Sequence, residues 1–164
     1  MTKLSMPKVD RKLISKKSDV VASLKKIINA ENILDHEDQI RPFETDALSA
    51  YKQKPMVVVF PENTDEVSKI LSYCNQERIK VVPRGAGTGL SGGALPLEDS
   101  ILLCLGKFNK IIDIDYKNRC VVTQPGVTNL SITQAVEEKD FYYAPDPSSQ
   151  IACSIGGNVA ENSG

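Results

Sequence analysis

The sequence predicts an α+β fold on three observations. First, "MVVVFP" (56–61), "NTDEVSKILSYCNQERI" (63–79) and "IKVVP" (79–83) read as strand, helix and strand. At that length the unit is a right-handed βαβ with parallel strands. Second, "SILLCL" (100–105), "KIIDID" (110–115) and "CVVTQPG" (120–126) are short apolar runs broken by Gly106, Asn109 and a turn-like "YKNR". They read as strands with no helices between them, so the pairing is mixed rather than doubly wound. Third, a helical pattern runs from Thr128 to about Glu138.

Taken in order, residues 1–19 are polar and read as loosely held. "DVVASLKKIINA" spaces Val20, Leu24, Ile27 and Ile28 as one helical face. Residues 31–55 are mixed and loop-like, and the chain divides into an N-terminal helical or irregular extension (1–50) and a second unit (51–164). In the helix of the βαβ unit, Thr64 is the expected N-cap, and Asp65 and Glu66 suit the positive end of the helix dipole. Val67, Ile70, Leu71 and Cys74 repeat as an apolar stripe. Both strands of the unit read as buried, the first closed by Pro61. "FYYAPDPSSQIACSIGGNVAENSG" (141–164) has no sustained period and reads as a long structured loop or a ligand-binding surface.

Composition removes several classes of function. The chain has 164 residues, 41% hydrophobic and 25% charged, with a net charge of -1, an ordinary globular balance with no field that would draw nucleic acid or an anionic membrane. Aromatic residues are 5% and tryptophan is absent, which removes a base-stacking platform. No apolar run approaches the ~20 residues that span a bilayer. The basic residues of the first helix region lack an apolar core and a cleavage site, so they read as a solvated face rather than a secretory signal. Cys74, Cys104, Cys120 and Cys153 form no CxxC pair, and the single histidine, His36, is remote from all of them. No metal site is expected, and unpatterned thiols suit a reducing cytoplasm. Cys74 and Cys104 sit in apolar runs as small buried hydrophobes do.

The chemistry concentrates in two glycine-bearing clusters. "PRGAGTGLSGG" holds five of the chain's ten glycines in the segment Pro83, Arg84, Gly85, Ala86, Gly87, Thr88, Gly89, Leu90, Ser91, Gly92 and Gly93. A literal GxGxxG lies within it, but a nicotinamide fingerprint needs a helix next. Here Pro96 and a strand-like run follow, and strands separate the loop from the tempting acids Asp113 and Asp115. A P-loop is ruled out, since no GxxxxGK[ST] occurs. Glycines that take positive φ still let successive backbone N–H groups form a concave anion nest. Thr88 and Ser91 add hydroxyls, and Arg84 adds charge or pairs with an acid of the fold. A diphosphate is the guest such a nest suits, the plain alternative being a flexible surface loop. The second cluster brings Pro145, Asp146, Pro147, Ser148 and Ser149, then Ser154, Gly156, Gly157, Asn158, Ala160 and Asn162. Neutral hydrogen-bonding groups and small residues in this density suit an extended polar heterocycle, or else a solvent-facing turn.

"VVPRGAGTGLSGGALPLEDSILL", "VVTQPGVTNLSITQAV" and "YYAPDPSSQIACSIGGNVAENSG" closely resemble the FAD-linked subunits of bacterial glycolate oxidases. These belong to the flavoprotein superfamily of vanillyl-alcohol oxidase, with an FAD-binding domain of the p-cresol methylhydroxylase type. "RPFETDALSAYKQKPMVVVFPENTDEV" fits the same family upstream, so the resemblance runs from about Ile40 to Gly164. It implies that this chain is the first part of such a domain and that FAD is its cofactor. Pro83–Gly93 would wrap the diphosphate. Pro145–Ser149 and Ser154–Asn162 would line the rest of the cofactor, above a strand and turn at 121–127. Some relatives attach FAD through histidine. His36 lies outside the matching motifs, so the resemblance implies non-covalent FAD.

The implied reaction is oxidation of a small 2-hydroxy acid, glycolate or D-lactate, with hydride passing from the α-carbon to the flavin. Electrons would then pass to partner subunits, one of them an iron–sulfur protein. The implied location is the cytoplasm, peripheral at the inner membrane through those partners. Dehydrogenation of another 2-hydroxy acid such as D-2-hydroxyglutarate, or an FAD-dependent reductase of cell-wall synthesis, remains open. The family is much longer than this chain and continues past its last glycine, so the chain reads as an N-terminal fragment, inactive alone and with little FAD affinity. No catalytic residue is expected within it.

Overall fold

The computed structural model describes residues 6–145 and 147–163. Six strands are present among them: β1 (Ile33–Leu34), β2 (Val57–Val59), β3 (Lys80–Arg84), β4 (Ser100–Cys104), β5 (Ile111–Asp115) and β6 (Cys120–Thr123). The α-helices are α1 (Arg11–Ile14), α2 (Lys17–Leu24), α3 (Glu37–Ile40), α4 (Thr64–Glu77), α5 (Asn129–Val136) and α6 (Ile155–Glu161). The α+β expectation therefore holds. Its βαβ unit is split: the main sheet has the order β1-β2-β4-β3, so β4 lies between β2 and β3 and runs parallel to both.

That insertion explains the burial. Parallel strands covered on both faces are apolar without alternation. Val57, Val58 and Val59 of β2, and Ile101, Leu102 and Leu103 of β4, are all buried. β3 was expected to be buried as well. It is instead the edge of the sheet, half-buried with Lys80 and Pro83 exposed. One face, through Val57, Val59, Ile101 and Leu103, packs on α2 and α4. The other, through Val58, Leu102 and Cys104, packs on Ile40 and Phe43. Val20, Leu24 and Ile28 are buried as their spacing predicts, and α2 thereby belongs to the same core as β2 and β4.

Several local expectations are corrected. The N-cap of α4 is Asn63, not Thr64: its Oδ1 accepts the Glu66 N–H at 2.9 Å, while Glu66 Oε2 accepts the Glu62 N–H at 2.8 Å. This reciprocal pair satisfies two backbone donors near the helix start. Leu71 is 45% exposed, leaving Ile70 and Cys74 as the buried stripe of α4 with Val67 partly covered. Within the stretch expected to be loosely held, residues 11–14 and 17–19 are helical, and Asp10 caps α1 by accepting the N–H groups of Lys12 and Leu13. The Asp10 N–H in turn donates to Asp99 Oδ2 at 2.8 Å. Residues 31–55 contain β1, which extends the sheet antiparallel to β2, and α3.

β5 and β6 form a separate antiparallel hairpin. Its turn is the expected 116–119, with Arg119 at φ 56° and Asp115 Oδ1 accepting the Asn118 N–H at 2.9 Å. Asp113 and Asp115 thus serve the hairpin. Cys74 and Cys104 are buried, and burial pushes their thiols up to about 11 and about 12. Cys153 is buried too, and Cys120 is exposed.

Candidate functional site

The glycine loop leaves the carboxyl end of β3, beside the central strand β4, where ligands of open sheets commonly bind. Gly87 (φ 73°) and Gly92 (φ 79°) take the left-handed conformation that side chains resist. Among the described residues Arg84 pairs with no acid. It folds back along its own loop, donating from Nη1 to the Thr45 carbonyl at 2.8 Å, with its guanidinium 5.8 Å from the Phe43 ring centre. A Cβ on Gly87 would collide with that guanidinium.

Two of the other three loop glycines, Gly85 and Gly93, answer to a neighbour. A Cβ on Gly85 would collide with Ser154 Oγ, and one on Gly93 would lie 2.6 Å from Glu161 Oε1. Ser91 Oγ donates to Glu161 Oε2 at 2.6 Å. Ser154 and Glu161 are the N-cap and last residue of α6, so the structure brings the two sequence clusters together along that helix.

The reading of 141–164 as loop throughout is therefore corrected, because Ile155–Glu161 is helical. Its two glycines weaken the helix signal, but Gly156 is required by packing. Its N–H donates to the Pro125 carbonyl at 2.8 Å, and a Cβ there would sit 2.5 Å from Pro125 Cβ. The turn after β6 thus lies directly beneath α6, with the Ile155 N–H donating to the Val127 carbonyl at 2.8 Å.

Other residues of the second cluster face inward. Asn158 is buried, and its Nδ2 donates to Asn129 Oδ1 at 3.3 Å and to Cys153 Sγ at 3.5 Å. Its amide is spent within the fold rather than offered outward. Asn129 Nδ2 donates to the Pro145 carbonyl at 2.6 Å, anchoring the loop that carries Pro147, Ser148 and Ser149. Asp146 and Gly164 lie outside the described residues. Gly157 and Ala160 are on α6, and Asn162 caps it at φ 51°.

Three site neighbours escaped the sequence reading: Asp46, Ala47 and Glu161. The Ala47 N–H donates to the Gly87 carbonyl at 2.9 Å, and Leu48 Cδ2 lies 3.5 Å from the Cβ position of Gly92. The available signal was "TDAL", where an Asp can accept the backbone N–H two residues on. Asp46 Oδ1 does accept the Leu48 N–H at 2.9 Å. Apart from these clusters, a cavity of about 300 Å³ with an apolar lining opens between the β5–β6 hairpin, α5 and α6, floored by Val121, Ile132, Ile155 and Val159.

A glycine loop with two left-handed residues at a parallel-strand edge, closed on one side by α6, has the form of an anion-binding nest. The profile of the FAD binding domain family matches residues 55–164, and the chain belongs to that family. FAD is its cofactor. The chain is similar to "Glycolate oxidase subunit GlcD" of Escherichia coli (strain K12), 51% identical over 98% of this chain and 31% of that protein. It is 33% identical to "D-2-hydroxyglutarate dehydrogenase, mitochondrial" of Arabidopsis thaliana, over 88% of this chain and 26% of that protein. A crystal structure of p-cresol methylhydroxylase with substrate bound superimposes with a TM-score of 0.77 over 94% of this chain and 30% of that one, at 22% identity. This bears out the expected fold type. The chain spans about a third of the length of the curated relatives it matches.

The residues present fit an FAD diphosphate in two respects. Gly87 and Gly92 hold backbone that a side chain would distort. Thr88 and Ser91 flank them with hydroxyls. The buried Asp46 Oδ2, whose segment packs on the loop through Ala47, has no hydrogen-bond partner among the described residues, and as a carboxylate oxygen it suits a donor of the cofactor rather than its diphosphate. Against these, the Glu161 carboxylate also touches the loop, as an anion a bound diphosphate must accommodate. Among the described residues no helix is long and apolar enough to cross a membrane, and no cluster of metal-ligating residues occurs.

Proposed function

We propose that this chain is the diphosphate-holding part of a flavoprotein dehydrogenase that oxidises glycolate, with D-lactate as the neighbouring substrate. The observation that carries the reading is the left-handed pair Gly87 and Gly92 at the end of β3, in a chain 51% identical to a glycolate oxidase subunit. Backbone N–H groups of Arg84–Gly93 hold the diphosphate, with Pro83 leading into the loop, Thr88 and Ser91 as hydroxyl donors and Arg84 as the nearby charge. Pro145–Ser149, Ser154, Gly156, Gly157, Asn158, Ala160 and Asn162 flank the rest of FAD, Asn158 by fixing the backbone rather than by direct contact. When bound, FAD supplies the two-electron redox chemistry. The chain's own residues hold it, orient it and keep water from one side.

The division at residue 50 belongs to this proposal, with 51–164 holding the cofactor and 1–50 bracing the sheet. Partner subunits, among them an iron–sulfur protein that takes the electrons, and a site at the cytoplasmic face of a membrane, are the further expectations. Dehydrogenation of D-2-hydroxyglutarate is the second reading, supported at 33% identity. The deciding experiment is dye reduction by the product of the complete gene that contains this segment. Glycolate should reduce the dye faster than D-lactate or D-2-hydroxyglutarate. No flavin in the purified protein, or no reduction by any of the three acids, would sink the proposal.

A further inference from the structure

Asp46 is only 5% exposed, yet it is one of two residues among those described with a buried side-chain oxygen that no partner satisfies. Its Oδ1 accepts the Leu48 N–H at 2.9 Å, which fixes the side chain, while Oδ2 accepts nothing. Leaving a buried acceptor unmet is costly, and more so for a carboxylate. The residues around it all lie against the glycine loop. Arg84 donates to the Thr45 carbonyl at 2.8 Å, the Ala47 N–H donates to the Gly87 carbonyl at 2.9 Å, and Leu48 touches the Gly92 position. The segment that carries the oxygen therefore packs against the two left-handed glycines. An acceptor kept unmatched at such a place is matched to a donor that arrives with the ligand.

We propose that Asp46 is a cofactor-binding residue whose Oδ2 accepts a hydrogen bond from a hydroxyl or N–H group of the dinucleotide held by the glycine loop. The inference rests on the FAD reading above and adds to it the 45–48 segment as a second wall of the site. The donor chemistry is shared by the sugar hydroxyls and amine of the adenosine half and by the ribityl hydroxyls of the flavin half.

The test is calorimetric titration of FAD, ADP and FMN into the wild-type chain and into Asp46→Asn and Asp46→Ser, with thermal unfolding of each protein without ligand. Asn and Ser both keep an acceptor for the Leu48 N–H. Asn sets an N–H donor where the donor of the ligand must sit, and Ser removes the second oxygen. The expected result is FAD binding weakened about tenfold or more in both variants, with midpoints of unliganded unfolding equal to or above wild type. Loss with ADP places the donor on the adenosine half, and loss with FMN places it on the flavin half. Unchanged FAD affinity in either folded variant overturns the inference, as does a lowered unliganded midpoint with unchanged affinity. If the wild-type chain binds none of the three ligands, the same variants are compared in the product of the complete gene, where unchanged FAD affinity overturns the inference and absence of flavin overturns the FAD reading.

Discussion

At the scale of single residues, the glycines of one loop divide by physical cause. Gly87 and Gly92 are glycine for their left-handed backbone, whereas a Cβ on Gly85 would meet the Ser154 hydroxyl and one on Gly93 the flexible end of Glu161. The first cause was legible in the sequence, since a glycine-rich turn after a strand implies positive φ. The second was not, because α6 lies some seventy residues further along the chain and only the fold brings it near. Gly87→Val tests the first cause. The left-handed backbone costs a branched residue about 1–2 kcal/mol, and the side chain meets the Arg84 guanidinium. Placed in the product of the complete gene, the substitution should abolish FAD retention on desalting and lower the melting temperature by a few degrees. Flavin retained at the wild-type level would remove Gly87 from the site.

At the scale of elements, apolar runs announced β2 and β4, but the order of the sheet was hidden. Nothing local in "SILLCL" says that it inserts between two strands joined by a helix, and that placement turned the expected buried β3 into an edge. α6 was hidden for the opposite reason: its sequence opens Ile-Gly-Gly-Asn, poor helix formers whose smallness is required by the turn below. Gly156→Ala measures that requirement. Alanine is the better helix former, so propensity alone would stabilise the protein by up to about 1 kcal/mol. The contact at 2.5 Å from Pro125 Cβ and 3.0 Å from the Pro125 carbonyl oxygen predicts the reverse, a loss of about 1–3 kcal/mol by overpacking. Chemical denaturation decides between the two signs.

At the scale of the whole molecule, the N-terminal segment and the edge of the sheet meet at Asp99. Its side chain is 2% exposed and pairs with Lys80 of β3 at 2.7 Å, and it also accepts the Asp10 N–H. Burial raises its pKa, but the Lys80 and Asp10 hydrogen bonds together outweigh burial, so the carboxyl is held below its ordinary value. A carboxyl lowered in the folded state stabilises the fold above its unfolded pKa, and that contribution is lost as pH falls through the folded value. Stability should therefore drop below about pH 4. Asp99→Asn should cost about 1–3 kcal/mol at neutral pH and flatten that acid limb. Parallel acid limbs in the two proteins would show that Asp99 does not carry the dependence. No sequence pattern marked this contact, which joins residues 10, 80 and 99 across three segments.

The central claim is that the loop from Gly85 to Gly93 holds the diphosphate of a dinucleotide whose remainder the start of α6 flanks. Amide-resolved nuclear magnetic resonance of the chain during titration with ADP tests it most directly. The account predicts shifts concentrated at Gly85–Gly93 and Ser154–Gly157, with a smaller set at Asp46–Leu48. Shifts confined to the apolar cavity between the β5–β6 hairpin and α6, or no shifts at millimolar ADP, would contradict it.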